Sequence, residues 1–284
     1  MLNYPRITEL PKEYIKEKVE AILEEDSSQE DWTSIATINP GSKTTAYIES
    51  LEEMVFVGKS IIENFFNDTM NIQIFANDGD MIYKNAIIAE ISGSTLEILQ
   101  KERSLLNLIQ RLSGIATATR KYTDLASPFN IKILDTRKTT PLLRLFEKYA
   151  VTMGGGYNHR LNLSKAIMIK DNHIKASGSI TNAVNYALKY NLNIEVEADN
   201  FEQVKEICYT KANGILLDNM SPEETQKIVE YIRSVRSKED FYIISSGGIN
   251  LKNMEQYLNT GIDAISTGAI THSVKAADIR LELK

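Results

Sequence analysis

The sequence predicts an α/β protein in which a mixed N-terminal region precedes a series of repeated βα units. From about residue 130, six short apolar runs alternate with helical patterns, which is typical of a parallel sheet or barrel. A long amphipathic helical pattern begins near Ser94, and turn chemistry at Ser127-Pro128 marks a boundary between the two regions. The 284 residues, 43% hydrophobic and 25% charged, suffice for one large domain or two modest ones.

The N-terminal region is expected to mix helices and strands. We predict a helix over residues 13–25, strands over 33–39 and 54–58, and a long helix from Ser94. Ser94 and Glu97 have the spacing of a capping box, which satisfies amides at a helix start. Apolar residues then recur on one face of that helix, namely Ile98, Leu105, Ile109 and Leu112.

The six apolar runs predict the strands of the second region. They are residues 131–134, 166–169, 194–196, 214–217, 241–244 and 263–265. Almost every run is followed directly by residues able to do chemistry, which are Asp135 through Lys138, Lys170, Glu197, Asp218, Ser246-Gly247-Gly248 and Ser266-Thr267-Gly268. In a βα barrel the carboxyl ends of the strands meet on one rim, so these residues are expected to share one pocket.

Composition excludes several classes of protein. A net charge of −6 and a pI near 5.3 argue against a surface for nucleic acid or anionic membrane. The sequence contains no run of about 18 apolar residues, the length that would predict a membrane span. A single cysteine, Cys208, excludes an internal disulfide framework, and the first residues lack a signal-peptide pattern, so we expect a cytoplasmic protein.

Five bases are concentrated in one short part of this acidic chain, and they are Arg137, Lys138, His159, Arg160 and Lys170. Such a cluster repels itself unless an anion neutralises it, which points to a small substrate with several negative charges. The alternative is a set of solvated surface bases. Placement directly after strands favours the pocket.

Two carboxylates follow consecutive strands. Glu197 and Asp218 could therefore face each other across a divalent cation, and Mg²⁺ suits a sparse pair of carboxylates that leaves room for phosphate oxygens. Alternatively they cap the following helices, a role that Asp199 and Asn219 would also fill. Glu195 shares a strand face with Glu197, but the position at the strand end favours Glu197.

Glycine-rich turns suggest a phosphate site. Ser246-Gly247-Gly248 and Ser266-Thr267-Gly268 follow the last two strands, where barrels commonly bind phosphate through loop amides, although small residues there could instead permit tight packing. Gly154-Gly155-Gly156 is equally compatible with a close approach to a ligand and with a flexible turn. His173 is expected to be structural.

Taken together, the ordered motifs resemble the quinolinate phosphoribosyltransferase family of type II phosphoribosyltransferases. The resemblance rests on Glu102 to Asn107, Leu112 to Thr117, Thr136 to Pro141, Gly154 to Arg160, Ile169 to Ile174, Glu195 to Glu197, Leu217 to Asn219, Ser246 to Ile249 and Ser266 to Ala269. It implies an N-terminal α/β sandwich and an incomplete (β/α) barrel, which correspond to the mixed region over 1–125 and the βα units over 126–272. From the chain pattern, residues 273–284 could pack on the first of these regions. It also implies a homodimer in which Arg103 is contributed to the neighbouring site.

The resemblance further implies the chemistry. Phosphoribosyl would pass from phosphoribosyl pyrophosphate to quinolinate with loss of CO₂, giving nicotinate mononucleotide for NAD biosynthesis. The substrates would be held by Arg103, Thr136, Arg137, Lys138, His159, Arg160 and Lys170. Lys138, Lys170, Glu197 and Asp218 would be catalytic, the last two holding ribose hydroxyls and Mg²⁺, and the two glycine turns would bind the 5-phosphate. The chain departs from the usual family pattern at Leu142, Asn162, Lys165 and Ile244.

Three other functions remain open at this point. The first is a related type II enzyme, or a molybdenum-linked paralogue, that acts on another acid. The second is a Schiff-base barrel lyase that uses Lys138 or Lys170. The third is a non-catalytic anion-binding protein, which would have no need of the two carboxylates.

Overall fold

The computed structural model describes residues 4–284 and divides into two compact units. The N-terminal unit comprises Ile7–Arg120, Leu145–Gly155 and Val274–Lys284, and the barrel unit comprises residues 4–6, Lys121–Arg144 and Gly156–Ser273. This division differs from the predicted boundaries by small shifts that put residues 121–125 and Ser273 in the barrel unit, and by two larger differences. Residues 4–6 belong with the barrel, and Leu145–Gly155 belong with the N-terminal unit.

Residues 4–284 form ten α-helices and twelve strands. The helices are α1 (Lys12–Glu25), α2 (Trp32–Thr37), α3 (Lys59–Phe65), α4 (Thr95–Ala126), α5 (Arg144–Met153), α6 (Asp171–Ser177), α7 (Ile180–Ala187), α8 (Phe201–Cys208), α9 (Pro222–Val235) and α10 (Ala269–His272). The strands are β1 (Lys43–Ser50), β2 (Met54–Val55), β3 (Asn71–Ile74), β4 (Met81–Ile82), β5 (Ile87–Ser94), β6 (Lys132–Leu134), β7 (Ile167–Ile169), β8 (Ile194–Ala198), β9 (Gly214–Asp218), β10 (Tyr242–Ser246), β11 (Ala264–Ser266) and β12 (Ile279–Leu283).

A four-stranded antiparallel sheet, in the order β12-β1-β5-β3, organises the N-terminal unit. The last strand of the chain forms one edge, and Ile279 pairs with Ser50 of β1. The predicted helix over 13–25 is present as α1, and β2 covers the start of the predicted strand over 54–58. The predicted strand over 33–39 is wrong, because Asp31 accepts a hydrogen bond from the Ser34 amide (3.1 Å) and so starts α2 there.

Helix α4 is the predicted long helix. The four apolar residues of its predicted face are completely buried, which confirms the periodicity. Its first amides are capped in part as expected, since the Glu97 amide donates to Ser94 Oγ at 3.3 Å. The Glu97 carboxylate does not complete the capping box but accepts from both nitrogens of Asn67, at 3.1 and 2.5 Å.

Helix α5 belongs to the N-terminal unit because polar contacts and a close backbone approach hold it there. The buried Glu147 carboxylate accepts a hydrogen bond from Arg111 Nε at 2.8 Å, and Tyr149 donates to Asp78 at 2.6 Å. A Cβ at Gly154 would lie 2.4 Å from the carbonyl oxygen of Ala116 on α4. The first glycine of the triplet is therefore a packing residue.

All six predicted strands of the barrel unit are present and parallel. Their order is β6-β11-β10-β9-β8-β7, which is the order of a barrel from which the β6–β7 pairing is missing within residues 4–284. A single bridge between Leu134 and Tyr157 extends the β6 edge. The barrel is thus incomplete, as predicted.

The interior of this incomplete barrel follows from the two-residue period of its strands. Leu134, Leu216, Tyr242, Ile244 and Ala264 point inward and form one buried cluster, which also includes Tyr4 from the start of the chain. Two residues further along each strand, the side chains on the same face reach the carboxyl-terminal rim. The cluster therefore lies directly beneath the rim residues.

Candidate active site

A cavity of about 670 Å³ opens at the carboxyl-terminal rim of the barrel unit. It is lined by residues from every strand end of that sheet. Of the predicted site residues, it includes Thr136 to Lys138, His159, Arg160, Lys170, Glu197, Asp218, Ser246 to Gly248 and Ser266 to Gly268. Side chains separated by up to 132 positions in sequence thus meet around one space of ligand size.

All five bases singled out in the sequence line this cavity. Arg137 and Lys138 follow β6 and are exposed, whereas Arg160 is half-buried and donates to the Ala166 carbonyl at 3.1 Å. Burial lowers the pKa of Arg160, as does the nearby guanidinium of Arg137, and Glu195 acts in the opposite direction. Two guanidiniums brought together in a partly desolvated cavity form a site that an anion with two carboxylates would neutralise.

His159 is fixed by its backbone as well as by its ring. Its amide donates to the buried carboxylate of Asp135 at 2.8 Å, and Asn158 Nδ2 donates to the other oxygen of Asp135 at the same distance. The ring nitrogen Nε2 lies 2.7 Å from Glu195 Oε2. Glu197, not Glu195, lines the cavity, because Glu195 lies one layer deeper and is only 2% exposed.

Three carboxylates lie close together at the ends of β8 and β9. Oxygens of Glu197, Asp199 and Asp218 lie within 4.8 Å of one another, a donor set of the kind that Mg²⁺ prefers, so these residues fit a divalent cation. The capping alternative is not what the structure has, since the side chains of Asn200 and Ser221 cap α8 and α9. Sequence reasoning missed Asp199 as a potential ligand.

Neighbouring polar groups hold these acids in place. Lys170 Nζ lies 2.5 Å from Glu197 Oε2, and Asn219 Nδ2 donates to Asp218 Oδ2 at 2.7 Å. Asn219 has a left-handed backbone conformation (φ 54°), and its amide donates to the Ser246 carbonyl at 3.0 Å. The acids at the rim are therefore linked to the base Lys170 and to the glycine turn after β10.

The two glycine turns present backbone rather than side chains to the cavity. Gly247 and Gly248 have φ values of +88° and +64°, which favour glycine. A Cβ at Gly247 would lie 2.3 Å from Asn219 Oδ1, and one at Gly268 would lie 2.8 Å from the His272 ring. Within residues 4–284, the amides of Gly247, Gly248 and Gly268 make no hydrogen bond to protein, so they remain available to an anion.

Some residues singled out in the sequence lie elsewhere. His173 caps α6, since its Nδ1 accepts a hydrogen bond from the Lys170 amide at 3.0 Å. Arg103 lies in the N-terminal unit on α4, with 64% of its side chain exposed. Conversely, Asn219, Asn250 and His272 line the cavity although no role there was predicted for them, since no local pattern distinguishes them from ordinary polar residues.

Profiles of two protein domains match this chain. The quinolinate phosphoribosyl transferase N-terminal domain matches residues 31–113, and the C-terminal domain of the same enzyme matches residues 115–282. The chain belongs to the quinolinate phosphoribosyltransferase family. The C-terminal match includes the whole barrel sheet and also α5 and most of β12, which pack in the N-terminal unit.

Individual members of the quinolinate phosphoribosyltransferase family are similar over nearly the full chain. The probable nicotinate-nucleotide pyrophosphorylase [carboxylating] of Bacillus subtilis (strain 168) is 42% identical over 265 residues, which cover 91% of this chain and 90% of the relative. The chloroplastic nicotinate-nucleotide pyrophosphorylase [carboxylating] of Arabidopsis thaliana is 35% identical, with 95% and 82% covered.

Solved structures agree with this assignment. The nicotinate-nucleotide pyrophosphorylase of Francisella tularensis superposes with a TM-score of 0.92 at 36% identity, covering 99% of this chain and 100% of that structure. Human nicotinic acid phosphoribosyltransferase superposes with a TM-score of 0.60 at 10% identity, a likeness of fold. In the part of the chain that the structure describes, no helix is both long and apolar enough to cross a bilayer.

Proposed function

We propose that this protein transfers phosphoribosyl from phosphoribosyl pyrophosphate to quinolinate and releases CO₂, producing nicotinate mononucleotide and pyrophosphate for NAD biosynthesis. Membership of the family supports this activity. The observation that carries it is the convergence of Arg137, Arg160 and Lys170 on one cavity that Glu197 and Asp218 also line. A site of this kind suits two substrates that are both multiply anionic.

The basic side of the cavity is proposed to bind quinolinate. Arginine forks match carboxylates bidentately, so Arg137 and Arg160 are the proposed partners of the two ring carboxylates, with His159 and Thr136 beside them. Lys170 lies next to Glu197 and would lie between the bound quinolinate and the phosphoribosyl donor. Lys138 follows Arg137 and is proposed to contact pyrophosphate as a point charge.

The acidic side is proposed to bind the ribose and the metal. Glu197 and Asp218 would hold ribose hydroxyls and Mg²⁺, with Asp199 as a third ligand. When bound, the metal neutralises charge on the departing pyrophosphate. The amides of the turns Ser246 to Gly248 and Ser266 to Gly268 are proposed to receive the 5-phosphate.

The chemistry then needs no nucleophile from the protein. The pyridine nitrogen of quinolinate attacks the anomeric carbon as the bond to pyrophosphate breaks. The nitrogen becomes cationic, which stabilises the electron pair left on the ring carbon when the 2-carboxylate departs as CO₂, and that carbon then takes up a proton from water to give nicotinate mononucleotide. The residues act by orienting two anions that would otherwise repel each other, and by presenting fixed charges to the developing charge.

The activity is tested by incubating the protein with quinolinate and phosphoribosyl pyrophosphate, with and without Mg²⁺. We expect nicotinate mononucleotide and CO₂ in equal amounts, only when the metal is present. Nicotinate in place of quinolinate separates this activity from that of related enzymes, because it carries no 2-carboxylate to lose. Product from nicotinate but not from quinolinate would refute the proposal.

We also propose a cytoplasmic homodimer in which each Arg103 serves the neighbouring site. Mixing R103A and R137A subunits tests the dimer directly, since a mixed dimer contains one site with both arginines intact. If subunits exchange freely, about a quarter of the wild-type activity should return from two impaired proteins. No recovery after verified exchange would contradict a shared site.

A further inference from the structure

Three buried side chains form a polar network under the cavity. Tyr4 OH donates to Glu195 Oε1 at 2.6 Å, and His159 Nε2 lies 2.7 Å from Glu195 Oε2. The rings of Tyr4 and His159 stack with centroids 5.6 Å apart and an interplanar angle of 26°. Exposure is 5% for Tyr4, 2% for Glu195 and 5% for His159. Only His159 among the three lines the cavity.

We propose that Glu195 and Tyr4 are positioning residues, which hold the His159 imidazole in the one orientation that meets a ring carboxylate of the substrate. The inference rests on the proposed function, since it takes the ligand of His159 to be an aromatic dicarboxylate. It gives the first described residues of the chain a part in substrate recognition. It also separates the roles of Glu195 and Glu197, which the strand periodicity alone left open.

The hydrogen-bond pattern determines the orientation. Both oxygens of Glu195 accept, one from the Tyr4 hydroxyl and one from His159 Nε2, so the network assigns a hydrogen to that ring nitrogen. Burial, reinforced by Glu195, raises the pKa of Tyr4, so its hydroxyl remains a neutral donor. A flipped His159 ring would set a C–H group against a buried carboxylate oxygen, which would then lack a partner.

The surroundings of the network indicate that it serves more than packing. The neighbouring inward-pointing residues Leu134, Leu216, Ile244 and Ala264 are apolar, and more apolar side chains would fill such a core without the cost of burying a carboxylate. Glu195 also acts electrostatically on Arg160, the neighbour of His159 in the chain. A single buried acid thus orients one cavity base and favours the charged form of another.

Kinetics of Y4F against Y242F test the proposal with a matched pair. Both variants remove one phenol hydroxyl from the same buried cluster, but Tyr242 donates to the Asp263 carbonyl at 3.4 Å rather than to Glu195. We expect Y4F to raise the KM for quinolinate about two- to tenfold, the effect of one lost hydrogen bond, with the KM for phosphoribosyl pyrophosphate unchanged. Y242F should change neither constant.

E195Q removes the charge and should have a larger effect on the same constant. If E195Q does not fold, Y4F against Y242F still decides the matter. Identical kinetics of Y4F and Y242F would overturn the positioning role. So would a parallel rise in both Michaelis constants, because that outcome is expected of a purely structural network.

A second readout does not depend on turnover. The chain has three histidines, so ¹⁵N-histidine NMR can follow each ring, with H159Q assigning the relevant signals. We expect Y4F and E195Q to shift the His159 Nε2 signal and to leave His173 and His272 unmoved. An unmoved His159 signal would refute the inference whichever way the activity assay falls. Failure of the wild type to convert quinolinate would refute the proposed function instead.

Discussion

Gly247→Ala should destabilise the protein substantially, for two reasons that the structure separates. The backbone at this position has φ +88°, a conformation that costs a residue with a side chain about 1–2 kcal/mol. The new methyl group would also lie 2.3 Å from Asn219 Oδ1 and 2.5 Å from its backbone nitrogen. Overpacking of this kind costs about 1–3 kcal/mol. The sum is a loss of about 2–5 kcal/mol in the free energy of unfolding.

Gly248→Ala provides the matched control. Its φ is +64°, but nothing lies within 4 Å of the added Cβ, so only the conformational cost applies. Urea denaturation of both variants should therefore show G247A less stable than G248A by about 1–3 kcal/mol. Equal stabilities would refute the close approach of Gly247 to Asn219, and with it the link between the glycine turn and Asp218.

Three further predictions concern charge and backbone strain. R137A should raise the KM for quinolinate about ten- to a hundredfold, since hydrogen bonds to charged groups are worth about 1.5–3 kcal/mol; steady-state kinetics check this, and an unchanged KM would reject the assigned role. D199N should raise the Mg²⁺ concentration for half-maximal activity several-fold. D240N, at an exposed aspartate outside the cavity, should leave that concentration unchanged. An equal rise in both variants would exclude Asp199 as a specific metal ligand. Leu142 has φ 65° and is 78% exposed, so L142G should be about 1 kcal/mol more stable than L142A in urea, and equal stability would contradict that backbone conformation.

Most of the barrel unit could be predicted from the sequence because its signals are local. Each strand is a short apolar run, and each rim residue directly follows one, so the chain order of Lys170, Glu197 and Asp218 predicts their meeting. Asp199 was not predicted as a metal ligand because an acidic residue just before a helix also suits the N-cap position. Asn200, the next residue, fills that role instead.

Features that depend on distant partners could not be predicted in this way. The bond between Tyr4 and Glu195 joins residues 191 positions apart, and nothing in the sequence near either one indicates it. The segment 33–39 contains apolar and β-branched residues that suit a strand, but the cap at Asp31 starts a helix instead. The grouping of α5 with the N-terminal unit likewise depends on Arg111 and Asp78, far from it in sequence.

The pairing of β12 with β1 has a consequence for biosynthesis. Ser50 meets Ile279, so this edge of the first sheet stays unpaired on the ribosome until β12 has been made. Exposed strand edges recruit other chains, which makes the nascent protein prone to aggregate during that interval. Truncation before residue 279 should accordingly yield insoluble material, even though every residue of the cavity would still be present.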